Sequence, residues 1–174
     1  MTAARSSSLR VLATLILCLG VVAVFGSGLW APPLGAQSAG QPQQLETAPV
    51  TIETASGAVH VFIAEIADEG PERNRGLMFR ERLGRDEGML FIYERPTEAG
   101  FWMRNTLIPL DMVFVAPGGR IIHVHENAIP GDETGISSQG VVRSVLEIRG
   151  GLARRLGIAP GDFLSSPALA PYGD

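Results

Sequence analysis

Phe101-Trp102-Met103-Arg104-Asn105-Thr106-Leu107-Ile108-Pro109-Leu110-Asp111-Met112-Val113-Phe114-Val115 is the stretch on which the reading of this chain turns. It is the densest hydrophobic segment after the N-terminus. Its polar residues, Arg104, Asn105, Thr106 and Asp111, lie inside apolar surroundings instead of at their margins. Polar side chains drawn into a core need partners, so such a cluster is either a structural network or a ligand site. Pro109 divides the stretch into two short strands, Phe101 to Asn105 and Leu110 to Val115, because proline is tolerated where a strand begins. On the first strand Trp102, Arg104 and Thr106 share one face, and Phe101, Met103 and Asn105 the other.

Downstream, Ala116-Pro117-Gly118-Gly119 places Pro at i+1 and Gly at i+2 of a type II turn, and Arg120 to Glu126 returns as the hairpin partner. A long loop, Asn127 to Gly140, leads to a strand over Val141 to Ile148, a short helix over Gly150 to Leu156 and a last strand at Phe163-Leu164. Upstream, Val50 to Thr54 and Val59 to Ile66 alternate about a turn at Ala55-Ser56-Gly57, a hairpin pattern. Asp68-Glu69-Gly70-Pro71 opens a short helix that runs to Phe79. Gly88 to Tyr93 is a buried strand, followed by a loop from Glu94 to Gly100. The expected fold is mainly β (α+β): a small barrel-like sheet, antiparallel or mixed, of seven or eight short strands with two short helices. It covers residues 50–165 and leaves a tail at 166–174.

Before this domain, Arg5 and Arg10 precede an uncharged aliphatic run from Val11 to Phe25, and no acidic residue appears until Glu46. A positive start followed by an apolar run marks an export signal. Residues 1–36 are therefore either a signal peptide, cleaved near Ala36, or an N-terminal membrane anchor. In both cases the rest of the chain is exported, to the periplasm or to the periplasmic side of the inner membrane. Residues 37–49, rich in Pro, Gln, Gly, Ala and Ser, are expected to be a flexible linker. The only cysteine, Cys18, lies in the apolar run, so the exported part has no thiol chemistry and no disulfide. The chain has no lysine, and its exported part sets 12 arginines against 18 carboxylates, a net charge of −6. An acidic domain without a basic stripe does not fit a nucleic-acid partner.

Six segments occur in one order: Arg75-Gly76-Leu77-Met78-Phe79-Arg80, Gly88-Met89-Leu90-Phe91, Phe101-Trp102-Met103-Arg104-Asn105-Thr106, Pro109-Leu110-Asp111, Glu126-Asn127-Ala128 and Val145-Leu146-Glu147-Ile148. Together they resemble the DUF192 family, a bacterial and archaeal domain of unknown function that often follows a signal sequence. The resemblance spans about Val50 to Leu164 and implies a compact, mainly β fold with no assigned biochemical role. Ser144 departs from it, standing where the family often has an aromatic residue.

Among possible sites, the polar cluster is read in two ways. As a brace, it pins a crossing of strands. As a pocket, Trp102 supplies an apolar wall and Asn105, Thr106 and Asp111, with Arg75 and Glu126, orient a small polar ligand. The expected partner is then such a ligand or an envelope protein, with no cofactor. A hydrolytic alternative uses Asp111 with Glu126, Glu147 or a histidine. A second alternative is a Cu(I) or other metal carrier built on Met78, Met89, Met103 and Met112 with His123 and His125. Against it, methionines among Leu, Phe and Trp usually fill gaps in a core. No nucleophile elbow and no phosphate-binding glycine loop is present.

Overall fold

The computed structural model describes residues 40–172; the segment expected to be a signal or anchor, residues 1–36, lies outside them, as do 37–39 and 173–174. Seven strands, β1 (Thr47–Glu53), β2 (Val59–Ala67), β3 (Glu87–Phe101), β4 (Leu110–Val115), β5 (Ile121–Ala128), β6 (Ile136–Arg149) and β7 (Phe163–Ser165), form one sheet. Their order is β5-β4-β6-β3-β2-β1-β7. Two short helices, α1 (Gly70–Arg75) and α2 (Leu152–Leu156), accompany it. The expected mainly β architecture holds. Every neighbouring pair is antiparallel except β2 and β3, which run parallel with Ala64 opposite Gly88. A parallel pair needs a crossover, and the segment carrying α1 provides it.

The sheet curls until its two edges touch at one end. Arg120 bridges to Phe163, and the Ile121 N–H donates to the Asp162 carbonyl at 2.8 Å. The turn before β5 makes this approach possible. Gly118 has φ 81° and ψ 7°, the third position of the expected type II turn. A Cβ on Gly119 would stand 2.5 Å from the Leu164 carbonyl oxygen.

Side chains alternate between two apolar clusters. The inner one gathers Val50, Ile52, Phe62, Leu90, Ile92, Val113, Leu146 and Ile148 inside the curl. The outer one gathers Met89, Phe91, Met112, Phe114, Val142 and Val145 under Leu77, Leu83, Ala99 and Met103. With both faces of β3, β4 and β6 covered, their central residues read as continuous apolar runs, as strands buried on both sides do.

The stretch 101–115 differs from its expected two strands. Phe101 ends β3, and 102–109 is a loop in which Asn105 takes φ 58°. The Met103 N–H donates to the Asp132 carbonyl at 2.8 Å, and that of Thr106 to the Met103 carbonyl at 3.0 Å. These turn bonds and the left-handed Asn105 stop the ladder before Pro109 does, since asparagine tolerates that conformation. Two long loops also turn out to be strand. Residues 94–100 belong to β3, and 136–140 to β6, with Gly100 opposite Ser137.

The ends of the domain are more ordered than their composition promised. Gln43 is buried and its amide donates to the carbonyls of Glu72 and Gly76, at 2.9 and 3.0 Å. Arg80 reaches both the Gln43 carbonyl and the Glu65 carboxylate. At the other end Ala168, Leu169 and Tyr172 pack on the inner cluster, and the Tyr172 hydroxyl bonds to Asp68. Among the described residues no helix is long and apolar enough to cross a membrane.

Asp111 is fully buried on β4, opposite Ile148 of β6. Its carboxylate accepts three backbone N–H groups at 2.7 Å: Asn127 and Gly151 on Oδ1 and Ala153 on Oδ2. The carboxylate therefore ties β4 to the end of β5 and to the first turn of α2, whose own N-cap, Gly151, has no side chain to offer. Asp111→Ala would leave three donors short of an acceptor, at ~1–3 kcal/mol for each one buried. The variant should melt roughly 10 °C or more below the parent, with Asp111→Asn between the two. A melting temperature equal to that of the parent would remove this brace from the account.

Candidate functional site

β3 holds its ladder with β6 from Gly88 to Ile92, opposite Ile148 to Ser144, and recovers it only at Thr97, opposite Val142. Tyr93 to Pro96 leave the pairing between these points. The freed carbonyls are taken by arginines: Arg73 donates to Ile92 at 2.8 Å, and Arg143 to Tyr93 and Glu94 at 3.2 and 2.8 Å. This bulge separates the end of β3 from the outer face of the sheet.

A cavity of about 910 Å³ opens there, lined by α1 and the turn after it, by Tyr93 and Thr97–Trp102, and by Arg104 and Thr106 of the loop. Gly76, at φ 49°, lets the turn lie against the cavity's inner wall, since a Cβ would meet the Phe91 ring at 3.1 Å. The opposite wall is pinned by two unusual backbones. Phe79 has φ 64°, rare for an aromatic residue, and its N–H donates to the carbonyl of left-handed Asn105 at 2.8 Å.

Glu147 of β6 also lines this cavity. It lies opposite Met89 on one side and Met112 on the other, so it projects among the outer apolar residues and is only 4 % exposed. Burial pushes its carboxyl from the ordinary 4.5 up to about 8, and among the described residues no cation or hydrogen bond offsets it. Tyr93 nearby is pushed up to about 12, chiefly by burial, an effect that Arg73 opposes and Glu147 reinforces. The rim is aromatic and carries three arginines and one exposed acid, Glu98. Arg104 lies over the Trp102 ring, 4.5 Å from its centroid, Arg73 over Tyr93 at 5.4 Å and Arg75 over Phe79 at 5.5 Å.

Of the six residues singled out from the sequence, Arg75, Trp102 and Thr106 line this one cavity. Trp102 is 49 % exposed at its mouth, and Thr106 is buried. Asn105 shapes the wall through its backbone, and its amide nitrogen lies 3.9 Å from the Met78 sulfur. Asp111 and Glu126 lie elsewhere. Asp111 is on the opposite face of the sheet, engaged by amides, and Glu126 pairs with Arg154 of α2. A pair of carboxylates sharing one cleft is therefore not formed by Asp111 and Glu147, which occupy successive registers and opposite faces. The residues that sequence reading passed over are Tyr93, Arg73 and, as a member of this cavity, Glu147.

The metal alternative meets a different arrangement. Met89, Met103 and Met112 are buried in the outer cluster. His123 stacks on Phe114 at 5.4 Å, and His60 bonds to the Leu156 carbonyl at 3.0 Å. Among the described residues no three or more His, Cys, Asp or Glu converge. Ser144 is fully buried with its hydroxyl unpartnered, beside a second cavity of about 410 Å³.

The DUF192 family model, described as "Uncharacterized ACR", matches residues 51–166. The chain belongs to the DUF192 family. Two solved structures are similar to this DUF192 chain across nearly their whole length. One, from Sinorhizobium meliloti 1021, is named as a proposed transcription regulator; it is 40 % identical, with a TM-score of 0.70, covering 72 % of this chain and 98 % of its own. The other, a protein of unknown function from Novosphingobium aromaticivorans DSM 12444, is 45 % identical, with a TM-score of 0.68, covering 75 % and 99 %. No functionally curated protein matches the chain significantly.

Glu147 makes the stability of this DUF192 domain depend on pH. Between about pH 4.5 and 8 its carboxyl is protonated in the folded chain and ionised in the unfolded one, so unfolding releases a proton and stability falls as pH rises. His123, whose pKa is lowered by burial and then by His125, titrates in the opposite sense. The difference between parent and Glu147→Gln is therefore the measure. The advantage of the glutamine variant in melting temperature should grow from pH 5 to pH 8 by roughly 10 °C, equivalent to a few kcal/mol. A constant difference would mean that Glu147 ionises as an ordinary carboxylate does.

Proposed function

We propose that this chain is an exported binding module of the cell envelope that holds a small polar ligand in the cavity between α1 and the end of β3. The observation that carries the reading is Glu147, a buried carboxyl that lines the cavity and, among the described residues, has no cation or hydrogen bond to offset its burial, so that it stays protonated up to about pH 8. Burying an unpaired ionisable group costs stability, and strongly perturbed groups in clefts concentrate at functional sites. The surroundings fit the same reading: an apolar wall of Phe91, Phe101 and Trp102 faces charged and polar groups that can orient a ligand, Arg73, Arg104 and Glu147 among them. Export is supported by Arg5 and Arg10 ahead of the aliphatic run from Val11 to Phe25. The transcriptional role proposed for the Sinorhizobium protein finds no echo in the acidic charge of this domain.

The reading is tested by melting the full chain with amino acids, organic acids, sugars and polyamines at millimolar concentration. At least one class should raise the melting temperature, since a ligand that binds only the folded state stabilises it. The same class should alter tryptophan fluorescence, and Trp102→Phe should abolish that change. No stabilisation by any class would overturn the small-ligand reading. Mass spectrometry of the chain expressed in a bacterial host tests the location: the mature protein should begin near Ala36 or remain in the inner membrane, and a full-length cytosolic product would remove export.

A further inference from the structure

The cavity carries its charges in two layers. At its inner end Glu147 sits among Met89, Phe91 and Met112, and no arginine reaches it closely enough to offset the cost of burial. At its mouth three arginines, Arg73, Arg75 and Arg104, stand against one carboxylate, the exposed Glu98, so the balance there is positive. Arg104 is exposed and stacked on Trp102, while Arg73 is held in place by its bond to the Ile92 carbonyl. Tyr93 stands between the layers, close enough to feel both Arg73 and Glu147. Arginines at one end and a carboxyl at the other, facing one space and not bonded to each other, are complementary to a ligand that carries both signs, the carboxyl giving up its proton as a cationic group arrives beside it.

The aromatic lining sharpens the choice for the inner end. Phe91, Tyr93 and Phe101 border the same space as Glu147. Aromatic faces attract cations, so a positively charged nitrogen is favoured there by the rings as well as by the carboxylate. We infer that the cavity takes a small zwitterion, its ammonium group against Glu147 and its anionic group at Arg104 on the rim. This inference rests on the proposed reading of the same cavity as a ligand site. The volume, about 910 Å³, lies in the range of small-molecule pockets and leaves room for a chain of several carbons between the two charges.

Matched probes test it. The full chain is titrated calorimetrically with 4-aminobutyrate and 6-aminohexanoate, and with n-butylamine and butyrate as single-charge controls. At least one of the amino acids should bind, each control roughly tenfold or more weakly, because either end alone forfeits one charge-assisted contact. Glu147→Gln should weaken the amino acid roughly tenfold or more and bring it close to butyrate. Arg104→Ala, an exposed change that spares the fold, should weaken the amino acid toward butylamine and leave butylamine itself unaffected. Binding by the parent should tighten as pH rises toward 8, where Glu147 ionises, and the Gln variant should lose that trend. Butylamine or butyrate binding as well as the amino acids, or amino-acid affinity unchanged in both variants, overturns the zwitterion. If these four probes fail while another class stabilises the chain and perturbs Trp102, the zwitterion is wrong and the ligand site stands; if nothing binds, both fall.

Discussion

Three amide hydrogens converge on Asp111, and the rest of the fold depends on that convergence. β4 is the strand that joins the hairpin with β5 to the centre of the sheet at β6. Asp111 holds β4 in register with the end of β5 and sets α2 in place beneath it. α2 is only five residues long, too short to be stable alone, and its cap is a left-handed glycine. It folds because a carboxylate from elsewhere in the chain supplies the missing acceptor. Leu152 and Ala153 are then presented to the inner cluster, which the curl of the sheet closes. A buried charge is tolerable here because every bond it makes is to a backbone donor that also needed one.

Glu147 presents the reverse case a few ångströms away on the other face. Asp111 and Glu147 belong to neighbouring strands at successive registers, so alternation sends one inward to α2 and the other outward to the cavity. One carboxylate is fully satisfied and the other is left to its environment. The difference lies in what each face is covered by. α2 offers Asp111 a row of N–H groups, whereas the outer face offers Glu147 methionines, a phenylalanine and an open space.

The apolar runs made the sheet legible. Met89 to Ile92, Leu110 to Val115 and Val141 to Ile148 read as buried strands, and the turn residues between them punctuate correctly. What was hidden in each case depends on contacts distant in sequence. Strand character at residues 94–100 and 136–140 exists because two irregular segments pair with each other, with Gly100 opposite Ser137. Gln43 looked like linker composition and is ordered only because Glu72 and Gly76 present carbonyls to it. Within the candidate site, Trp102 and Thr106 stood out inside the apolar stretch and Arg75 as a candidate partner of that cluster, and the fold brings these three together. Asp111 stood out for the same reason and faces the other way, which no local pattern could decide without the register. Glu147 had a signal that could have been weighed more heavily: a charge two residues from Val145, on the same face of a strand otherwise made of core residues.

An ionisable side chain at position 147 is costly where it stands. A leucine or methionine at position 147 would complete the outer cluster between Met89 and Met112, relieve the burial cost and shrink the cavity. The chain instead keeps an ionisable group there. Left-handed Phe79 and Asn105 stand next to the lining residues Met78, Arg104 and Thr106, and Tyr93 of the bulge lines the opening itself. Each of these features works against stability or regularity and lies at or next to a residue lining the cavity, whereas the other two left-handed non-glycine residues, Asn127 and Gln139, line a different one. Strained backbone and costly buried groups are found preferentially at functional sites, and this opening combines a costly buried carboxyl with two strained backbones beside its lining. The outer face of β3 and β6 is where this domain departs from the sheet it otherwise builds, and the departure is centred on Glu147.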